Sequence, residues 1–393
     1  MAQPSSQRGE SASAVPPAYE NATDENINEV LEDFYKLDLN PDTYEGPTVD
    51  TCLAHPKLLS AFDKLRRRMA DYEGLWDIWN SRAQNANPSA LNVDGRADDI
   101  LAKLREKRWS IYVVRAVDRY EAWWQSFVPR MLLEDDMLAT SSTSAYESFT
   151  STDQLMCWTT NILPPLDVLL VWHAHMLNPR LFLEDCLRHG YGTLWAAGMP
   201  WSSINDIIDP SFHYTVGDQC QANFTVRTGR AWSNEDDDNF QRLKCVHCSE
   251  WNDVPWTTCG QDENDTSSRP GLVGQGYGDG DFQFICSQCG DVTNKDSLNV
   301  SKFVRDVTNL VSHGWPMPGT ILDAADGVPK QQQQDSSQLF PNRLVRQGIL
   351  AEVLQKLKPG GTERPSNNAG QGLDPEYHSW YKVPAQHNRT QAD

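Results

Sequence analysis

The sequence predicts a mainly α-helical protein. A multi-helix body holds a helical hairpin with a Trp-His-x-His motif, and a small β module of the zinc-ribbon kind is attached to it. Three observations carry that prediction. Apolar residues recur at alternating four- and three-residue steps in several long segments, the period of one helix face. The chain has 14 tryptophans, and they sit in those periodic segments, so a substantial aromatic core is expected. Two Cys-x-x-Cys pairs, well separated in the chain, have the spacing of metal-binding turns.

Residues 1–24 are rich in Ser, Ala, Pro and Glu and are expected to form a disordered tail. Within it, Pro16-Pro17-Ala18-Tyr19 matches the Pro-Pro-x-Tyr ligand of WW domains. The prolines pre-set an extended form and Tyr19 supplies an aromatic anchor, so a WW-domain protein is a candidate partner. The helical body is expected over 25–235. It opens with a helical pattern at Ile27, Val30, Leu31, Phe34 and Leu37, followed by a Pro/Asp/Gly-rich connection near 40–48.

Leu58, Phe62, Leu65, Met69, Tyr72, Trp76 and Trp79 then mark one face of a long amphipathic helix. Arg66, Arg67 and Arg68 lie off that stripe, on a solvated face. A second long helix is expected at 97–128, with Val113, Val117, Tyr120, Trp124 and Phe127 on its apolar face. Lys103, Arg105, Lys107 and Arg108 make its first half basic, which reads as surface or as a partner for the acidic segments, before any nucleic acid. Pro129 ends it, and 134–152 reads as a polar loop.

Residues 163–190 form the expected hairpin. Pro164 and Pro165 open its first helix, which runs to about Leu177. Asn178 is placed to cap the second helix, Pro179 suits its first turn, and Gly190 suits its stop. From 191 to 240 the pattern is aromatic but irregular. The module is expected over 236–325, with a trailing helix carrying Val300, Phe303, Val304, Val307, Leu310 and Val311. Residues 326–393 should hold a Gln-rich linker, a short helix near 341–357 with Leu344, Ile349, Leu350, Val353 and Leu354, and a flexible tail.

The strongest chemical signal is Cys245-Val246-His247-Cys248 with Cys286-Ser287-Gln288-Cys289-Gly290. A tight turn between two cysteines points both thiolates at one ion, and two such turns complete a tetrahedral zinc site. Gly290 suits a turn that needs an unusual backbone angle. Cys259 and His247 are reserve ligands. Two other readings stand beside zinc: buried unligated thiols, or a thioredoxin-like redox pair, which a βαβ setting would favour. A complete set of four cysteines leaves no open coordination position, so its expected role is scaffolding.

Charge narrows the partners. Lys plus Arg number 34 against 54 Asp plus Glu, a formal charge of -20. That argues against nucleic acid and against an anionic membrane surface. No apolar run approaches the roughly 20 residues of a spanning helix. Nine cysteines without a secretory signal argue against a disulfide framework. A cytoplasmic, non-secreted protein is expected, with the nucleus left open, and the sequon at Asn223-Phe224-Thr225 should go unglycosylated.

The hairpin motif admits two readings. His173, His175, Asp185 and Cys186 suggest a metal or catalytic cluster. Residues two apart on a helix, however, point about 200° around the axis, so the two histidines do not easily share one ion. The plainer reading packs one histidine beside Trp172 in the core. The other lies in the last turn near free carbonyls, and Asp167 lies near the helix start, where the dipole favours its charge.

The run Asp167-x-x-x-x-Trp172-His173-x-His175-x-Leu177-x-Pro179, followed by Asp185-Cys186, resembles the glycine-rich domain-containing protein-like family. This is a domain of unknown function found in plants and fungi. Val254-Pro255-Trp256 and Gly276-Tyr277-Gly278-Asp279 look like its fungal members. The resemblance spans roughly 48–325. It implies an architecture and no established activity. With 24 glycines overall, the chain lacks the glycine-rich C-terminal region of plant members, and it lacks an RNA-recognition module.

Several enzyme signatures are missing. No histidine is followed two residues later by Asp or Glu, as an iron dioxygenase triad would require. There is no His-Glu-x-x-His, no Gly-x-Ser-x-Gly and no phosphate loop. The glycines at 274, 276, 278 and 280 read as a flexible loop, not a nucleotide site. The function expected is therefore a non-enzymatic intracellular interaction or scaffold protein with a structural zinc. The alternative is a metalloenzyme or small-ligand binder built on the hairpin cluster.

Overall fold

A computed structural model describes residues 48–81, 83, 97–138, 145–152, 154–260, 272–329, 342–345 and 347–348. Residues 50–393 form one compact unit; of the other, 1–49, only Thr48 and Val49 are described. The N-terminal tail with Pro16, Pro17 and Tyr19, the pattern at 27–37, the Gln-rich linker and most of the helix expected at 341–357 lie outside the described residues.

The described part is mainly helical with two small antiparallel sheets. Helix α1 spans Val49–Ala70, α2 Ala97–Gln125, α3 Leu166–Met176 and α4 Pro179–His189. Three short helices follow: α5 Gly192–Ala197, α6 Trp201–Ile207 and α7 Asp218–Thr228. The region expected to be irregular is thus helical, in pieces too short to show a clear period.

Helix α1 buries Leu58, Phe62, Leu65 and Met69 as the stripe predicts. The stripe does not continue to residue 79. The helix ends at Ala70, and a left-handed Gly74 opens a short 3-10 turn, Leu75–Asp77, in which Trp76 and Asp77 also have positive φ. Gly74 is required there, because a Cβ would lie 2.5 Å from the ring of Trp79. Tyr72 and Trp79 end largely exposed.

Helix α2 corrects the sequence expectation more deeply. Its buried face carries Leu104, Ile111, Tyr112, Ala116, Tyr120, Trp123 and Trp124, whereas Val117 is exposed. Arg108, expected on the surface, is fully buried, as are Arg115 and Arg119 one helix face along. Arg108 donates to the carbonyls of Ala70 and Ile78 and to Asn80 Oδ1, so it caps the end of α1 and fixes the turn after it. Arg115 lies between the rings of Trp76 and Trp256 and donates to the carbonyls of Asn234, Asp237 and Asp238. Each guanidinium is satisfied on several sides, which is what makes its burial tolerable.

The stretch read as a polar loop also feeds the core. Met137, Tyr146 and Phe149 are buried, and the Tyr146 hydroxyl donates to the Ile321 carbonyl. The hairpin forms as expected, with Pro179 in the first turn of α4 and Gly190 left-handed at its end. Asn178 does not cap α4; its side chain turns back and donates to the Ala174 carbonyl of α3.

The module consists of two hairpins and a helix. Strands β1 (Phe240–Lys244) and β2 (Trp251–Pro255) pair with Phe240 opposite Pro255 and Lys244 opposite Trp251. Strands β3 (Gln283–Ile285) and β4 (Val292–Asn294) pair with Gln283 opposite Asn294. Helix α8, Lys295–His313, follows β4 directly. The Asn294 side chain accepts from the Ser297 N–H and the Ser297 hydroxyl from the Asn294 N–H, a reciprocal cap. The core of the module is small: Leu243, Val254, Phe282 and Leu298.

Candidate metal centre and the tryptophan-histidine motif

Each Cys-x-x-Cys run sits at the tip of a hairpin, and the two tips are built alike. In the first, Cys245 N–H donates to Glu250 O and Ser249 N–H to Cys245 O. In the second, Cys286 N–H donates to Asp291 O and Gly290 N–H to Cys286 O. The residue after the second cysteine is left-handed in both, Ser249 with φ 63° and Gly290 with φ 76°. This turn aims both sulfurs of a run the same way.

The two tips meet. Cys245 Sγ lies 3.7 Å from Cys289 Sγ, and Cys248 Sγ lies 3.5 Å from Cys286 Sγ. All four sulfurs lie within 4.8 Å of one another. A tetrahedral ion with metal–sulfur bonds of ~2.3 Å would hold its sulfurs ~3.8 Å apart. The four cysteines are therefore close enough to hold one metal ion and are compatible with zinc.

Within the group the thiolate is favoured at Cys286, while the neighbouring sulfurs push the Cys248 and Cys289 thiols up. The N–H groups of Cys289 and Gln288 hold the Cys286 thiol down to about 6, against burial. Asn252 Nδ2 lies 3.6 Å from Cys286 Sγ, while its Oδ1 accepts from the Ser287 N–H and hydroxyl. A β2 side chain thus supports the other hairpin's tip, a role no sequence signal marks. The reserve ligands are elsewhere. His247 supplies only its backbone N–H to Cys245 Sγ, and Cys259 is buried with its thiol donating to the Leu272 carbonyl.

The glycine-containing loop before β3 is fixed, contrary to expectation. Asp279 is fully buried and takes Lys107 Nζ at 2.7 Å, Thr257 Oγ1 at 2.9 Å and the N–H groups of Thr258 and Gly276. Gly276 has no room for a side chain, since a Cβ would lie 2.5 Å from Thr257 Cα. Lys107, read as surface or as a partner for the acidic segments, takes the second role and anchors the module to α2.

The hairpin motif resolves into separate environments. Asp167 lies in the first turn of α3, as expected, and is buried there, accepting from Arg119 Nε at 2.7 Å and from Asn234 Nδ2 at 3.0 Å, so it is also the centre of a polar network. Arg119 also donates to the Ala231 and Trp232 carbonyls and to Asp237. Trp172 is fully buried between Trp123 and Trp158.

His175 packs against Trp124 and Phe182, with Tyr120 donating to its Nδ1 at 2.8 Å and its Nε2 facing Asp185 at 3.2 Å. Burial pushes the Asp185 carboxyl up, but the His175 bond and the Arg188 charge together hold it below its usual range. His173 points elsewhere and meets His55 of α1, Nε2 to Nε2 at 3.1 Å. Cys186 is fully buried, and burial drives its thiol pKa well up. The structure does not bring His173, His175, Asp185 and Cys186 to one point. Among the described residues, only the four-cysteine group gathers three or more possible metal ligands.

Residues 61–185 match the glycine-rich domain-containing protein-like family model. The matched stretch starts inside α1, contains all of α2 and α3, and ends at Asp185 in α4. The resemblance to the glycine-rich domain-containing protein-like family thus covers the part of the helical body from α1 to α4, with the Trp172-His173-x-His175 run. It is narrower than the span expected from the sequence and leaves out the cysteine module. No curated protein and no solved structure matches the chain. Among the described residues, no helix is long and apolar enough to cross a membrane.

Proposed function

We propose that this chain is a non-enzymatic interaction or scaffold protein whose small module is folded around one structural zinc. The observation that carries the reading is the meeting of four sulfurs from two hairpin tips at tetrahedral spacing. Four thiolates fill the shell of a zinc ion and leave no position for a substrate, so zinc acts there as a staple. The module's own core is four side chains, too small to hold two hairpins without such help.

Two further observations support an interaction role. Two open grooves among the described residues, of about 550 and 560 Å³, are lined by Leu59, Lys64 and Phe212 in one case and by residues of β2 and β3 in the other, and neither touches the hairpin motif. Helix α8 exposes Val300, Phe303, Val304 and Val311, an apolar stripe on the side opposite the buried Leu298. Large apolar side chains on one exposed face suit a protein partner better than solvent. The net charge of -20 disfavours nucleic acid.

Elemental analysis of purified protein tests the reading. One zinc per chain is expected in the four-cysteine site, lost in Cys289→Ser and retained in His175→Ala. Metal-free protein with an intact module would overturn it.

A further inference from the structure

We infer that His55 and His173 form a second metal site, which takes one borderline divalent cation such as Ni²⁺ or Zn²⁺ across the contact between α1 and α3. Their Nε2 atoms face each other at 3.1 Å, with ring centroids 5.2 Å apart and planes tilted by 39°. Metal–imidazole bonds of ~2.0–2.1 Å place two nitrogens ~2.9 Å apart at a right angle and ~3.4 Å apart at the tetrahedral angle. The observed separation falls between those limits, so one ion fits with only small movement of either ring.

The contrast with His175 shows why this pair is available. His175 has both ring nitrogens engaged, one by Tyr120 and one by Asp185. His55 and His173 engage each other, and no carboxylate pairs with either ring among the described residues. Burial and the neighbouring His55 lower the His173 pKa, so its ring stays neutral near neutral pH, the form a metal needs.

Both rings are half-buried, with Trp201 edge-on to His55 at 5.3 Å and Phe62 at 5.9 Å from His173. An apolar wall on one side and solvent on the other leaves the remaining coordination positions to water, unlike the closed four-sulfur site. Imidazole donors select zinc, copper and nickel over calcium or magnesium. The two ligands stand 118 residues apart, so an ion there would clamp α1 to the hairpin.

The test uses the full chain with zinc already in its cysteine site, titrated with Ni²⁺ by calorimetry at neutral pH. One further ion per chain is expected, with a rise in Tm. His55→Ala and His173→Ala should each weaken it by more than about tenfold, with the cysteine zinc unchanged. His55→Gln serves as the second variant should His173→Ala fail to fold. No uptake by the wild-type chain, uptake only at millimolar Ni²⁺, or a second ion that survives both His55 substitutions would overturn the site and leave a hydrogen-bonded imidazole pair.

Discussion

The helical body and the cysteine module solve the same problem with different materials. The body surrounds a large aromatic core with Trp123, Trp124, Trp172, Phe182 and Tyr191 among its buried members, and it then satisfies three buried arginines inside the fold. The module has four core side chains, two two-stranded sheets and four converging sulfurs. A large core can bear the cost of burying charge, because many carbonyls and carboxylates are at hand to meet it. A small one cannot close by hydrophobic burial alone, and its remaining free energy must come from a ligand. The two regions should therefore fail under different treatments.

The largest effect is expected from removing the zinc proposed for the four-cysteine site. A strong chelator, or Cys286→Ser, should unfold the two hairpins, since structural zinc supplies on the order of 10–16 kcal/mol in small zinc modules. The aromatic body should keep its helices. Hydrogen exchange reads the difference directly: residues 240–260 and 272–294 lose protection while α2, α3 and α4 retain theirs. Equal loss in both regions would erase the distinction between them.

The mirror-image experiment breaks the body. Arg119→Met leaves Asp167 buried against Asn234 with no cation, and it strands the Ala231 and Trp232 carbonyls. Breaking one side of a buried pair costs about 3–5 kcal/mol. Denaturant unfolding should show a loss of that size with the zinc content of the module unchanged. A third change acts between the hairpins. Asn252→Ala removes the side chain that touches Cys286 Sγ and holds Ser287. Such outer contacts change metal affinity by about 10–100-fold, and competition with a chromophoric chelator measures it.

Much of this was legible in the sequence, for reasons that differ by region. The cysteine site was readable because its geometry is local: each run makes a turn, and only the meeting of two turns is tertiary. The hairpin was readable because Pro165, Pro179 and Gly190 mark the boundaries of its two helices. The α2 arginines were not, because a lysine- and arginine-rich stretch looks the same whether its guanidiniums meet water or buried carbonyls. Arg108, Arg115 and Arg119 all lie on one helical face, and only the fold shows that this face is buried. His55 was invisible for a plainer reason. Nothing within reach of it along the chain hints at a partner 118 residues away. The break after Met69 was hidden because Trp76 and Trp79 continue the numerical spacing after the helix has ended.

The smallest expected effect lies where the two regions touch. Glu121 of α2 is pushed up to about 7 by burial first and by the neighbouring Asp118 second, partly opposed by Arg305, Lys302 and Arg230. Arg305 and Lys302 belong to α8, so this carboxyl senses the module's helix against the body. The native state holds a proton that the unfolded chain, with its ordinary value of 4.5, gives up. Its stabilising contribution is therefore complete below the unfolded value and is lost as pH rises through about 7. Glu121→Gln, which carries no charge at any pH, should flatten that part of the pH dependence. At mildly alkaline pH, with zinc bound, it should be more stable than the wild-type chain by about 1–2 kcal/mol. Thermal melts from slightly acid to slightly alkaline pH check this. If the variant and the wild-type chain lose stability in parallel across that window, Glu121 is not protonated in the native state, and α8 presents its cations to the carboxylate closely enough to keep it charged.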